Sequence, residues 1–136
     1  MADAATQQAF LAEAQVGILS TVGPKGGPHA VPIWYLYEDG KIRISISRGS
    51  QKHKNVERDG RVAFTLDRRA ATPYYSLTVL AEASIGAGFT DEERMRLATR
   101  YLGEEAGKRY ASGAGGDSVT IEFGIDRLLE YESPAS

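Results

Sequence analysis

The amino-acid sequence predicts a mainly β protein of the α+β class: a small, six-stranded antiparallel barrel with peripheral helices. Three observations support this prediction. Turn residues recur at short intervals, the segments between them carry apolar residues at strand spacing, and strong helix signals are few. The chain of 136 residues has the size of one domain, so we expect residues 1–136 to share a single core.

Turn residues separate the predicted strands. The Gly- and Pro-rich stretch 23–27 closes a hairpin between the first two strands, and Asp39-Gly40 has the sequence of a tight two-residue turn before the third. Asp59-Gly60 turns the chain into the fourth strand. The predicted strands cover residues 16–22, 28–37, 42–47, 61–67, 74–85 and 119–131.

Polarity alternates most strictly in the third strand. Isoleucine fills every second position of residues 42–47, so we expect the isoleucine face to enter the core. Arg43, Ser45 and Ser47 occupy the opposite face of the same strand.

Three helices are predicted around the strands, over residues 5–14, 50–58 and 90–102. Thr90 and Glu93 have the spacing of a capping box, and Ser50 is a favourable N-cap residue. The glycine-rich stretch 113–116 is expected to form a flexible loop.

The second strand is unusual because both of its faces are apolar. A strand of an antiparallel barrel normally leaves one face to water, so we expect a subunit interface, a ligand or both to cover the second face. The alternative is a strand that lies under the barrel's own helices. Pro32 donates no backbone hydrogen bond, which predicts a sheet edge or a bulge at this position.

The start of the second helix is basic. A helix N-terminus presents unpaired N–H groups and the positive end of a dipole, both of which favour an anion. Arg48, Lys52 and Lys54 surround this end, so the segment is typical of a phosphate site. The simpler interpretation is an ordinary capped surface helix with a solvated basic face.

Composition excludes several classes of site. The chain has no cysteine, which excludes disulfides and thiol chemistry, and its two histidines, His29 and His53, are too few for a His-rich metal centre. The net charge is −2, yet residues 41–69 hold nine basic residues against three acidic ones. A basic island in an acidic protein favours a small anionic partner over nucleic acid, and an RNA-binding barrel is the alternative.

No membrane span and no basic, apolar leader is apparent, so we expect a cytoplasmic protein. No set of residues forms a self-sufficient active site either, since the carboxylates are scattered and neither histidine has an evident acidic partner in sequence. If the protein is an enzyme, a bound cofactor is expected to supply the chemistry, and we assign no catalytic residue.

Residues 16–21, 26–34, 45–47, 52–56 and 59–63 together resemble the pyridoxamine 5′-phosphate oxidase-like split-barrel flavoproteins. The resemblance extends over about residues 10–131, nearly the whole chain, and is greatest for the actinobacterial branch that uses the deazaflavin coenzyme F420. It implies a homodimer of six-stranded split barrels of the FMN-binding type, with a cofactor site at the dimer interface.

The resemblance also implies where the cofactor would bind. Its ring would lie along the second and third strands, and Tyr74 or Tyr75 of the partner chain would cover it. The basic helix start would hold the phosphate. The residues assigned to the cofactor in this way are Val31, Pro32, Ile33, Trp34, Ser45, Ile46, Ser47, Ser50, Gln51, Lys52, Lys54, Asn55 and Tyr75.

For activity, the resemblance implies a hydride transfer from reduced F420 to an unsaturated small organic substrate. Two alternatives stay open: an FMN-binding oxidoreductase of the same fold, and a non-catalytic protein that carries or senses F420 or a flavin. Both cofactors would present a phosphate to the same helix start, so the sequence separates them poorly.

Overall fold

The computed structural model describes residues 2–13, 15–113 and 116–134. The strands are β1 (Gly17–Val22), β2 (Pro28–Ile33), β3 (Leu36–Glu38), β4 (Lys41–Ser47), β5 (Arg61–Arg68), β6 (Tyr75–Glu82), β7 (Ser84–Ala87), β8 (Ser118–Gly124) and β9 (Arg127–Glu132). The helices are α1 (Ala4–Ala12), α2 (Gln51–Arg58), α3 (Asp91–Leu102) and α4 (Glu104–Gly113). None of them is long and apolar enough to cross a membrane.

The strands form two antiparallel sheets. One has the order β2-β1-β5-β6-β9 and the other the order β3-β4-β8-β7. This arrangement confirms the predicted mainly β, split-barrel architecture, but the barrel is not closed. The edge position of β2 in the first sheet agrees with the prediction drawn from Pro32.

Three of the six predicted strands are each divided into two segments. The predicted strand 28–37 becomes β2 and β3, 74–85 becomes β6 and β7, and 119–131 becomes β8 and β9. In each pair one segment lies in the five-stranded sheet and the other in the four-stranded sheet. The chain bends where it passes from one sheet to the other, and such corners depend on the packing of two sheets rather than on local residue pattern.

The core lies between the two sheets and confirms the polarity pattern of the third predicted strand. Ile42 and Ile44 are fully buried and Ile46 nearly so, while Ser45 on the opposite face is half-buried. The turn before this strand has positive φ angles of 54° at Asp39 and 72° at Gly40, as the two-residue hairpin requires.

The three predicted helices are present. The Ser50 hydroxyl accepts the His53 N–H at the start of α2, and Thr90 and Glu93 form the expected capping box at the start of α3. The predicted end of the first helix, residue 14, lies outside the described residues. So do residues 114 and 115 of the predicted loop.

The sequence did not predict α4. Two glycines within residues 103–107 lower helix propensity there, but Gly107 permits a close approach to α3. A Cβ atom at Gly107 would lie 2.9 Å from the Thr99 nitrogen. Helices α3 and α4 therefore pack backbone to backbone as a hairpin.

Candidate functional site

A cleft opens beside β2, between the strands and the α3–α4 hairpin. Its volume is about 390 Å³. We call it the aromatic cleft, and its lining residues are Pro32, Ile33, Trp34, Ser45, Phe89, Arg94, Leu97 and Tyr110. The cleft has two walls. We call one the strand wall, which is formed by β2, Trp34 and β4, and the other the helix wall, which is formed by α3, α4 and Phe89 just before α3.

The strand wall brings together four residues predicted to contact a cofactor ring: Pro32, Ile33, Trp34 and Ser45. The indole ring of Trp34 is stacked on Tyr101 of α3, with the ring centroids 4.6 Å apart and the planes at 3°. Helices of the same chain therefore cover part of this apolar segment, as the alternative interpretation of the second strand proposed. The edge of the sheet beside Pro32 stays exposed.

The helix wall was not predicted from the sequence. Phe89, Arg94, Leu97 and Tyr110 come from a region with a clear capping signal, but nothing local shows what α3 packs against or that α4 exists. The Arg94 guanidinium donates to the Phe89 carbonyl at 2.9 Å and to Asp91. Of the described residues that line the aromatic cleft, Arg94 is the one that carries a charge.

A second, polar cleft of about 220 Å³ adjoins the first, because Ser45 and Arg94 line both. Its lining residues are Ser45, Ile46, Ser47, Arg94, Gly116, Asp117 and Ser118. Ile46 is 5% exposed and its side chain lies in the core, so this residue offers backbone atoms to the cleft. The predicted stretch from Ser45 to Ser47 thus lies along a surface that a ligand can reach.

The turn that leads from β4 into α2 is held by hydrogen bonds. The Gly49 N–H donates to Nδ1 of His53 at 2.9 Å, and the Ser50 N–H donates to the Ser47 carbonyl at 3.1 Å. Gly49 has a φ of +80°, which a residue with a side chain adopts with strain. Contrary to our expectation, His53 has an acidic neighbour, since its Nε2 lies 3.4 Å from Glu57.

The basic residues of this turn differ in their surroundings. Lys52 is half-buried in the first turn of α2, while Gln51 and Lys54 are exposed. Arg48 forms an ion pair with Asp117 at 2.9 Å and so is less available to an anion. Lys52 is therefore the basic residue of this helix start best placed to meet a phosphate.

A third cleft, of about 390 Å³, lies between α2 and the β1–β2 turn and is called the turn cleft. Its lining residues are Gly23, Pro24, Lys25, Gly27, Pro28, His29, Gln51 and Asn55. Nδ1 of His29 is buried and has no hydrogen-bond partner among the described residues. Such a group is costly to leave unsatisfied, so a polar ligand atom here would be stabilised.

Val31 lies on one face of β2 between His29 of the turn cleft and Ile33 of the aromatic cleft, and it is half-buried. A planar ring on the strand wall and a polar chain reaching Gln51 and Lys52 would thus follow one side of β2. The apolar wall, the helix start and the unsatisfied His29 nitrogen fit a ring that carries a phosphate.

Asn55, which was predicted to bind the cofactor, has another role. Its side chain is fully buried, its amide donates to the Thr21 hydroxyl at 2.9 Å, and its carbonyl accepts from Gln51 at 2.6 Å. Arg58 donates to the same carbonyl. These bonds occupy the side chain and fix α2 on β1, which argues against a direct contact with phosphate.

The position of Tyr75 also argues against its predicted role over the ring. It is 3% exposed, its ring meets Phe10 edge-on at 4.7 Å, and its hydroxyl donates to Glu130 at 2.5 Å. Burial and the Glu130 carboxylate both raise the pKa of the Tyr75 hydroxyl. Among the described residues, no cluster of three His, Cys, Asp or Glu side chains could hold a metal ion.

The split barrel with strand-lined clefts defines the class of this chain, the split-barrel proteins of the pyridoxamine 5′-phosphate oxidase type. The chain matches the model of the pyridoxamine 5′-phosphate oxidase family over residues 4–130, so it belongs to that family. No curated protein matches the sequence.

Solved structures show the same fold. The chain is similar to the conserved hypothetical protein Rv2991 from Mycobacterium tuberculosis, with 25% identity, a TM-score of 0.80 and coverage of 97% of this chain and 86% of the other. An F420 reductase gives 23% identity, a TM-score of 0.69 and coverage of 90% and 94%. An FAD-binding protein from Mesorhizobium loti gives 17% identity, a TM-score of 0.70 and coverage of 98% and 96%. A heme storage protein also shares the fold.

Proposed function

We propose that this protein is a cytoplasmic, homodimeric reductase that uses coenzyme F420. The observation that carries the proposal is that β4, which lines the aromatic cleft at Ser45, leads directly into the capped helix start, which carries Lys52 in its first turn. The similarity to an F420 reductase supports the choice of cofactor.

When bound in its reduced form, F420 would supply a hydride for one carbon of an electron-poor double bond and would be left oxidised, while water would supply the proton for the other carbon. The protein's own contribution is positional. Pro32, Ile33 and Trp34 would hold the plane of the ring and Lys52 would hold the phosphate, which would allow the donor and acceptor carbons to approach within the distance of about 3 to 3.5 Å that hydride transfer needs.

Arg43 joins β4 to the start of α3 beside the aromatic cleft. Its guanidinium is bound to Glu93 and to Glu122, the latter at 3.2 Å, and lies over the Phe89 ring at 5.3 Å from the centroid. Lys41 and Arg43 lower the pKa of Glu122, Lys41 contributing more. These pairs fasten the start of α3 to β4 and hold the helix wall in place.

The outer face of the five-stranded sheet supports a homodimer. Each of the five strands contributes one residue to an uncharged row, in which neighbours lie directly opposite one another. The residues of the row are Pro32, Ile18, Thr65, Thr78 and Leu129. The exposed fractions of Ile18 and Leu129 are 40% and 46%. Because Pro32 also lines the aromatic cleft, a second copy packed on this face would border the cofactor.

Binding and turnover measured together test the function. The purified protein is titrated with F420, FMN and hemin, and reduced F420 is then mixed with a panel of activated alkenes and quinones. We expect F420 to bind most tightly and its oxidised absorption to return only when both protein and acceptor are present. Preference for FMN would instead indicate the flavin enzyme, and F420 binding without turnover would indicate a carrier.

A further inference from the structure

We infer that Arg94 selects the acceptor, and that the acceptor is a planar conjugated molecule that carries a carboxylate. The inference rests on the proposed function and names the substrate class of that site. It comes from the two walls of the aromatic cleft. If the ring lies on the strand wall, the acceptor must face the helix wall, which is made by Phe89, Arg94, Leu97 and Tyr110.

The apolar and aromatic side chains of the helix wall favour a flat apolar ligand. Phe89 is 4% exposed and Leu97 is half-buried, while Tyr110 is tilted against Trp34 with the ring centroids 5.7 Å apart. A conjugated molecule between these side chains and a deazaflavin ring would be covered on both faces by apolar or aromatic groups. Aromatic and apolar surfaces of this kind favour flat ligands.

Arg94 adds one positive charge to this apolar wall. Its hydrogen bonds to the Phe89 carbonyl and to Asp91 use part of the five N–H donors of a guanidinium, so donors remain for a ligand. Asp91 is 95% exposed, and an ion pair to so exposed a carboxylate is weakened by water. A ligand carboxylate inside the cleft would make a better-shielded, forked pair.

Apart from Asp91, which lies outside the cleft, two acidic residues near Arg94 are paired with other cations. Glu93 is bound to Arg43, and Asp117 in the polar cleft is bound to Arg48. The aromatic cleft itself has no carboxylate among its lining residues in the described part of the chain. An incoming carboxylate would therefore meet Arg94 without a competing anion inside the cleft.

The test uses the single tryptophan, Trp34, as a reporter inside the cleft. Trans-cinnamate and methyl trans-cinnamate have the same conjugated body, but only the first carries a charge. Each is titrated into the full-length protein, with and without saturating F420, and Trp34 fluorescence excited at the red edge of its absorption is followed. The variants are Arg94→Gln, Arg94→Lys and, as control, Arg96→Gln on the exposed side of α3.

We expect the wild type to bind cinnamate about tenfold or more tightly than the ester, because a charge-assisted hydrogen bond carries that much affinity. Arg94→Gln should remove this preference and leave ester binding and F420 binding unchanged. Arg94→Lys should keep most of the preference, and Arg96→Gln all of it. A merely structural role of Arg94 would weaken both ligands alike.

The proposal is overturned if neither ligand changes the fluorescence, if the wild type does not prefer cinnamate, or if Arg94→Gln weakens both ligands equally. It is also overturned if Arg94→Gln weakens F420 binding as much as cinnamate binding, because Arg94 would then serve the cofactor. Failure to bind F420 at all would contradict the proposed function alone, since the titrations without F420 still report on Arg94.

Discussion

Glu130 fixes the N-terminal segment to the last strand. Its carboxylate accepts the Tyr75 hydroxyl at 2.5 Å, the Ala2 N–H at 3.0 Å and the Gln7 side-chain amide at 3.3 Å. These bonds, the Tyr75 bond most of all, lower the pKa of Glu130 below its ordinary value of 4.5. Hydrogen bonds to the ionised form of a carboxyl stabilise that form.

This shift predicts a pH dependence of stability. A carboxyl group with a lowered pKa in the folded state contributes stability above its unfolded pKa and loses it as the pH falls through the folded value. We expect Glu130→Gln to lower the urea midpoint at pH 7 and to flatten the loss of stability below a pH of about 4.5. Glu105→Gln, at an exposed position of α4, should leave the acid profile unchanged. Parallel acid profiles for wild type and Glu130→Gln would refute this account.

At the scale of elements, Arg100 joins α3 to the end of α1. Its guanidinium donates to the carbonyls of Ala12 at 2.8 Å and Glu13 at 2.7 Å, and lies 4.8 Å from the centroid of the Tyr35 ring. The Tyr35 hydroxyl donates to the Leu11 carbonyl at 2.7 Å, and burial raises the pKa of Tyr35 to about 12. The last carbonyls of α1 are thus satisfied by side chains from other elements.

Replacing Arg100 should therefore destabilise the protein. We expect Arg100→Met to lower the free energy of unfolding by about 1 to 3 kcal/mol, because several carbonyls lose charged donors. Arg96→Met is the matched control on the same helix, since Arg96 pairs only with the partly exposed carboxylate of Glu38 in the described contacts. Urea unfolding followed by circular dichroism measures both variants. Equal losses in the two would show that Arg100 contributes no more than a surface ion pair.

At the scale of the whole molecule, the uncharged row on the five-stranded sheet predicts self-association. We expect sedimentation analysis to find a dimer, and Ile18→Asp to give a folded monomer, because an aspartate cannot be buried there unpaired. The affinity for F420 should fall when the dimer is lost, because the aromatic cleft adjoins this face at Pro32. Leu102→Asp, at another exposed apolar position, should leave the dimer intact. A wild-type monomer would contradict the interface.

Local signals explain most of the fold. A few neighbouring residues are enough to predict the buried isoleucine face of β4, the turn at Asp39-Gly40 and the helix cap at Thr90. The structure confirms all three. The strand corners and α4 were missed because they depend on packing between distant segments, such as Gly107 against Thr99. The strand wall of the site was predicted from the resemblance to split-barrel flavoproteins, whereas Phe89 and Arg94 of the helix wall were missed because their place depends on the packing of α3 and α4.

The most direct test of the cofactor site compares F420 binding by the wild type and by Lys52→Ala, with Lys108→Ala on exposed α4 as control. Fluorescence titration gives the dissociation constants, and urea unfolding checks stability. We expect Lys52→Ala to weaken F420 binding about tenfold or more, because it removes a charged donor to the phosphate, and to leave the fold unchanged. Wild-type affinity in Lys52→Ala, or no binding of F420 or FMN by the wild type, would contradict the account.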